Sequence, residues 1–285
     1  MRRTGYTLVD LLIVLIVLGI VGALFLVGTQ PPRRYSPQLK DSTQVRGIHQ
    51  GMILLAQNNQ DPFPLPSELD AAGHTLAGDS ASKDTTANII SMLIYQGFFS
   101  PEMTVSPSES NPKIRVFGKY QYGDPSGTVK PRQALWDPAF AADFTAGEAN
   151  LSYAMTPLWS KERVETVTGF NSTQAVVGNR GPQIAGATYS PAGVAMPRRM
   201  NAGSYTDLIH GGKSTWEGNI SYGDNSVNFE TIMAPEAIKW KDRAGSAFGD
   251  VLFYDEPGDT TDTNAFLSIF VNTGATKDQW RAIWD

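Results

Sequence analysis

The chain contains no cysteine, which excludes disulfides, iron–sulfur clusters and thiolate zinc sites. It has only three histidines, His49, His74 and His210, and no H-E-x-x-H, G-x-S-x-G or phosphate-loop pattern. Ser/His/Asp combinations can be drawn from any chain of this length, so their presence carries no weight. No Lys/Arg block follows residue 40 and the net charge is −5, so the footprint of a nucleic-acid binder is missing. No period of roughly 20–50 residues recurs, which excludes a solenoid. These absences point away from an enzyme and leave nucleic acid out of the expected partners.

What is present is unevenly spread. Residues 8–27 hold one charge, Asp10, in 20 positions, while the remainder is rich in Gly, Pro, Ser, Thr and Asn. Twenty helical residues rise about 30 Å, the thickness of a bilayer core, so the run predicts a transmembrane helix. Arg2 and Arg3 precede it, which favours a cytoplasmic N-terminus with the bulk of the chain outside. The 285 residues suffice for one large domain or two small ones with a real core.

A secretory signal ends in a small-residue cleavage site after its apolar region. Val27-Gly28-Thr29-Gln30 is a poor version of such a site, and Gly22-Ala23 leaves some room for one. Ahead of the run stands Gly5-Tyr6-Thr7-Leu8-Val9-Asp10. This resembles the class III signal of type IV pilins and type II secretion pseudopilins, G-F-T-L-x-E, with Tyr6 for Phe and Asp10 for Glu. The resemblance implies a leader of residues 1–5, cleavage by a prepilin peptidase between Gly5 and Tyr6, and methylation of the Tyr6 amine. It further implies a membrane and assembly helix over residues 6–28 that packs against other subunits. Asp10 has two readings. Thr7-x-x-Asp10 is a capping box with a carboxylate near the positive helix end. In the pilin-like reading, Asp10 pairs with the Tyr6 ammonium of a neighbouring subunit and sets the register.

Pro31 and Pro32 cannot sit inside a regular helix, so residues 29–60 are expected to hold a break and then an amphipathic helix. Val45, Ile48, Met52 and Leu55 recur there at three- and four-residue spacing. A polar loop to Thr86 and a second helix over residues 87–99 follow. Strands are expected over residues 151–158, 174–178, 221–229, 251–254 and 266–271, separated by Gly, Asn and Asp turns. His210-Gly211-Gly212, Asn219 and Tyr222-Gly223-Asp224-Asn225-Ser226-Val227 resemble the C-terminal signature of a large family of prepilin-methylation-domain proteins. The expected fold class is therefore α+β and pilin-like. An N-terminal transmembrane helix and an amphipathic helix would pack on one antiparallel β-sheet domain, with residues 61–285 as the exported part.

Asp255, Glu256, Asp259 and Asp262 crowd one turn-rich loop. Hard oxygen ligands suit calcium, and major pseudopilins are similar in binding it in a C-terminal loop. The spacing matches no EF-hand, and an acidic loop is commonly just solvated. The leading expectation is a structural subunit, pilin or pseudopilin-like, of a type IV pilus or type II secretion filament. Such a subunit is a single-pass cytoplasmic-membrane protein with its C-terminal domain exported, later part of a periplasmic or surface filament. The alternative is a membrane-anchored surface binding module of the same precursor class.

Overall fold

The computed structural model describes residues 8–28, 35–60, 62–78, 80–274 and 279–285. The chain divides into two units, Met1–Pro37 and Gln38–Asp285. The first holds α1, Leu8–Gly28, built from Leu, Ile, Val and Ala without an internal proline. Among the described residues no helix is long and apolar enough to cross a membrane, which overturns the transmembrane helix expected here. The leader, Gly5, Tyr6, Pro31 and Pro32 lie outside the described residues, as does the side chain of Asp10.

In the second unit the main helix is α2, Tyr35–Asn58, taken from Gln38 onward. Its first turn contains Pro37. A proline in the first turn is tolerated because its missing N–H has no acceptor within the helix. Val45, Ile48, Met52 and Leu55 are all fully buried. The expected polar loop carries two short helices, α3 (Pro66–Leu69) and α4 (Ser80–Lys83). Lys83 Nζ holds them together, 3.1 Å from the Asp70 carboxylate and 2.6 Å from the Asp70 carbonyl oxygen. Helix α5, Thr86–Tyr95, starts at a Thr85 cap whose hydroxyl accepts from the Asn88 N–H, and it buries Ile89, Ile90, Leu93 and Ile94.

The remaining elements are short. They are β1 (Tyr153–Met155), α6 (Lys161–Thr166), β2 (Ala175–Asn179), β3 (Ile184–Tyr189), β4 (Ala195–Arg199) and α7 (Asp207–His210). After these come β5 (Gly218–Tyr222), β6 (Val227–Glu230), β7 (Lys239–Lys241), β8 (Ala247–Gly249), β9 (Ile269–Asn272) and β10 (Arg281–Ile283). In place of the expected single sheet, they form a four-stranded antiparallel sheet, β1-β2-β5-β6, and the separate pairs β3-β4, β7-β8 and β9-β10. With three to six residues per strand, and Gly, Pro and Asn between them, most ladders end after one partner. The fold class is thus α+β with several small antiparallel sheets.

The four-stranded sheet separates two apolar clusters. Tyr153 and Met155 of β1 join α2 and α5 in the first, with Phe63, Trp136 and Val176. Ala154, Ile220 and Tyr222 join Trp216, Leu252, Phe253 and Leu267 in the second. Strand side chains alternate between faces, so Asn219 and Ser221 of β5 turn the other way, toward α2. Each finds a partner there: Asp41 for Asn219 and His49 for Ser221.

Candidate functional site

Helix α1 is the least satisfied part of the molecule. Every large apolar side chain described on it is exposed, from 82 % for Leu8 to 44 % for Val21. These residues lie on all sides of the helix, so no single face is meant for water. A helix apolar all round is stable only when something apolar surrounds it, and twelve such side chains are uncovered here. The arrangement suits lateral association of helices and offers no chemistry for catalysis.

The residues that carry the C-terminal resemblance do structural work. Asp41 of α2 is fully buried. Its carboxylate accepts from Tyr153 Oη at 2.7 Å, His210 Nε2 at 2.8 Å and Asn219 Nδ2 at 2.8 Å. Burial alone would raise the Asp41 pKa, but hydrogen bonds from His210, Tyr153 and Ser106 outweigh it and hold the carboxyl below its ordinary value. His210 and Asn219 therefore clasp α2 to the sheet. His49 is likewise buried, with Nδ1 2.7 Å from Ser221 Oγ and Nε2 2.9 Å from the Val167 carbonyl oxygen. Both His49 and Ser221 are fully buried, so this Ser–His pair has no route to a substrate. His74 sits in the turn that follows α3.

The acidic loop is organised around its own backbone. Asp259 accepts from the N–H groups of Thr261, Thr263 and Asn264 at 2.9, 3.0 and 3.1 Å. Glu256 turns inward and accepts from the Val251 N–H at 3.1 Å and Asn264 Nδ2 at 2.8 Å. Asp255 lies 3.8 Å from the buried Arg163 guanidinium, which also donates to Asn264. Asp262 adopts a left-handed turn conformation with φ of 51°. Among the described residues no three His, Asp or Glu side chains converge to hold a metal ion. Of the four carboxylates expected as calcium ligands, Asp255, Glu256 and Asp259 are engaged by protein groups, all three through Asn264. No family model, curated protein or solved structure matches this chain.

Burial pushes the Glu256 carboxyl up to about 7, against the opposing hydrogen bonds from Asn264 and Val251. Burial also raises Asp250, with the Glu256 charge adding to it. A carboxyl whose pKa is raised on folding stabilises fully below its unfolded value and loses that contribution as pH rises through its folded value. His49 works oppositely: burial lowers its pKa despite the Val167 carbonyl, so stability is lost as pH falls below about 6.5. Thermal melts are expected to show these two limbs overlapping between about pH 4.5 and 7, Glu256 losing stability as pH rises and His49 gaining it. Glu256→Gln should flatten the alkaline limb, the fall of about 3 kcal/mol as pH rises from about 4.5 to 7. An unchanged alkaline limb in that variant would remove Glu256 as its cause.

An apolar pocket of 440 Å³ opens between β4, residues 214–216 and residues 231–236. Met196, Pro197, Trp216, Ile232 and Met233 line it, and Glu236 is its one charged residue. Nothing in the sequence pointed to it, because its walls come from three separate segments.

Proposed function

We propose that the chain is a pilin- or pseudopilin-like structural subunit of a type IV pilus or type II secretion filament. A prepilin peptidase cuts after Gly5, the new Tyr6 amine is methylated, and residues 38–285 are displayed outside the cytoplasmic membrane. The observation that carries this reading is α1, whose apolar side chains are uncovered on every side and would be covered by copies of the same helix. The Gly5–Asp10 motif agrees with it, and the pairing of His49 and His210 within the fold leaves neither free for catalysis.

Mass spectrometry of the native protein should find Tyr6 as a methylated N-terminus, and electron microscopy should find the mature chain in filaments. An N-terminus beyond Val27 would remove α1 from the mature protein and end the proposal. Asp10 supplies the register between subunits. Asp10→Ala is expected to cut filament recovery at least tenfold, since leaving one member of a buried ion pair alone costs about 3–5 kcal/mol. Asp10→Glu should retain filaments, and neither change should alter the melting of residues 38–285. Normal filaments from Asp10→Ala would reduce Asp10 to a helix cap.

A further inference from the structure

Lys83 and Asp70 are sealed from water together, with side chains 3 % and 1 % exposed. Lys83 Nζ stands 3.1 Å from Asp70 Oδ2 and donates at 2.6 Å to the Asp70 main-chain carbonyl oxygen. The turn after α3 brings them together. The chain doubles back at Gly73, whose φ of 66° suits glycine and whose Cβ, if present, would come 3.9 Å from Nζ. The next N–H groups converge on the Asp70 carboxylate, His74 at 2.7 Å and Thr75 at 3.1 Å on Oδ1, Leu76 at 3.2 Å on Oδ2. Acyl transfer needs this arrangement: a nucleophile at the carboxyl, and fixed N–H donors about 2.7–3.1 Å from the oxygen that takes up charge.

We infer that Lys83 and Asp70 condense into an isopeptide bond, which joins the end of α4 covalently to the residue that closes α3. Lys83 Nζ attacks Asp70 Cγ, the His74 and Thr75 N–H groups hold the charge that develops on Oδ1, and Oδ2 departs as water. Atoms and charge balance without a co-reactant. Of the three ammonium protons, two leave on Oδ2 and the third stays on the new amide nitrogen, facing the Asp70 carbonyl oxygen. The positive and the negative charge disappear together.

The pair starts ionised. Burial would raise the Asp70 carboxyl, but hydrogen bonds from Thr75, Leu76, Lys83 and His74 hold it low, so a proton has to leave Nζ before the nitrogen attacks. Asp84 is the carrier. It follows Lys83 in the chain and is 5 % exposed, and burial pushes its carboxyl up against the Ser67 hydrogen bonds and the Lys83 charge. The Ser67 N–H and hydroxyl fix it at 2.8 and 2.7 Å. Two considerations favour the bond over a lasting ion pair. Groups held in reacting geometry reach effective concentrations of about 10⁵–10⁸ M, and a site closed to water lacks the reagent for the reverse step. A buried ion pair often contributes little net stability, whereas a cross-link between positions 13 apart restricts the unfolded chain as a disulfide would, in a sequence without cysteine.

The test is protease digestion of the native full-length chain, read by mass spectrometry. Chymotrypsin cuts after Leu69 and Leu76, and residues 70–76 should stay joined to the peptide that carries Lys83, one water lighter than the two apart. Trypsin should fail to cut after Lys83. A succinimide at an aspartate also loses water but leaves the two peptides separate, so that result counts against the bond. Asp84→Asn should slow formation about 100-fold, the usual contribution of a positioned proton carrier, and a variant that cross-links as fast as the parent would overturn the part given to Asp84. The unmodified chain decides the bond by itself, whether or not that variant folds. Separate peptides from folded protein kept for days at neutral pH would overturn it. The bond forms within one chain, so its failure and that of the filament reading are distinct results.

Discussion

Replacing Asp41 with Ala is expected to destabilise the second unit by about 3–5 kcal/mol, because a buried charged acceptor is removed and its donors stay behind. Tyr153, His210 and Asn219 all point at this one carboxylate. They belong to β1, α7 and β5, while Asp41 belongs to α2, so the change loosens a helix from three elements together. For a unit of this size each kcal/mol moves the melting temperature by roughly 2–4 °C. A fall of about 6–20 °C in thermal melts at pH 7 is the expected result. Asp41→Asn should recover only part of it, since an amide keeps one acceptor oxygen and turns its NH₂ toward groups that are themselves donors. The pH dependence has a definite sign: a carboxyl held low on folding stabilises above its unfolded pKa, and the contribution is lost as pH falls through the folded value. Acid should thus cost the unmodified chain stability that Asp41→Asn no longer has to lose. A melting temperature within about 2 °C of the parent for Asp41→Ala would show that the clasp contributes nothing net.

How much of this was readable in advance depends on whether a signal is local. The α2 stripe was legible because Val45, Ile48, Met52 and Leu55 repeat with the helical period, and all four are fully buried. The β5–β6 pair is only partly legible: the strand expected over residues 221–229 is broken at Asn225, which takes a left-handed φ of 61°, a geometry Asn tolerates. Strands β3 and β4 were not anticipated, since their sequences include Gly186, Pro197, Arg198 and Arg199, residues that weaken a strand pattern. Asp41 reads as an ordinary solvated helix acid, and only pairing across more than a hundred residues makes it structural. His210 was singled out for its glycines, and its ring proved to matter through Asp41.

Arg180 is the second place where one substitution should have a large effect. Its side chain is 3 % exposed and lies 2.9 Å from Glu109 and 3.1 Å from Asp285, with the guanidinium 4.8 Å from the Phe144 ring centre. The same Asp285 carboxylate accepts from the Thr206 N–H at 2.9 Å and Asn111 Nδ2 at 3.2 Å, so Arg180 ties the last residue of the chain to two distant loops. Arg180→Met keeps most of the volume and removes the charge, leaving two carboxylates buried without a cation. The expected loss is about 3–5 kcal/mol, read as a lower melting temperature at pH 7. Arg180→Lys should not rescue it, because a single ammonium cannot fork between two carboxylates as a planar guanidinium does. The triple change Arg180→Met, Glu109→Gln, Asp285→Asn removes every charge of the group together. It should regain most of the loss, since a buried ion group often contributes little net stability once all its members are gone. Thermal melts of the single and triple variants separate the two cases: a triple variant as unstable as Arg180→Met would mean that packing on Phe144, and not charge, is what Arg180 supplies.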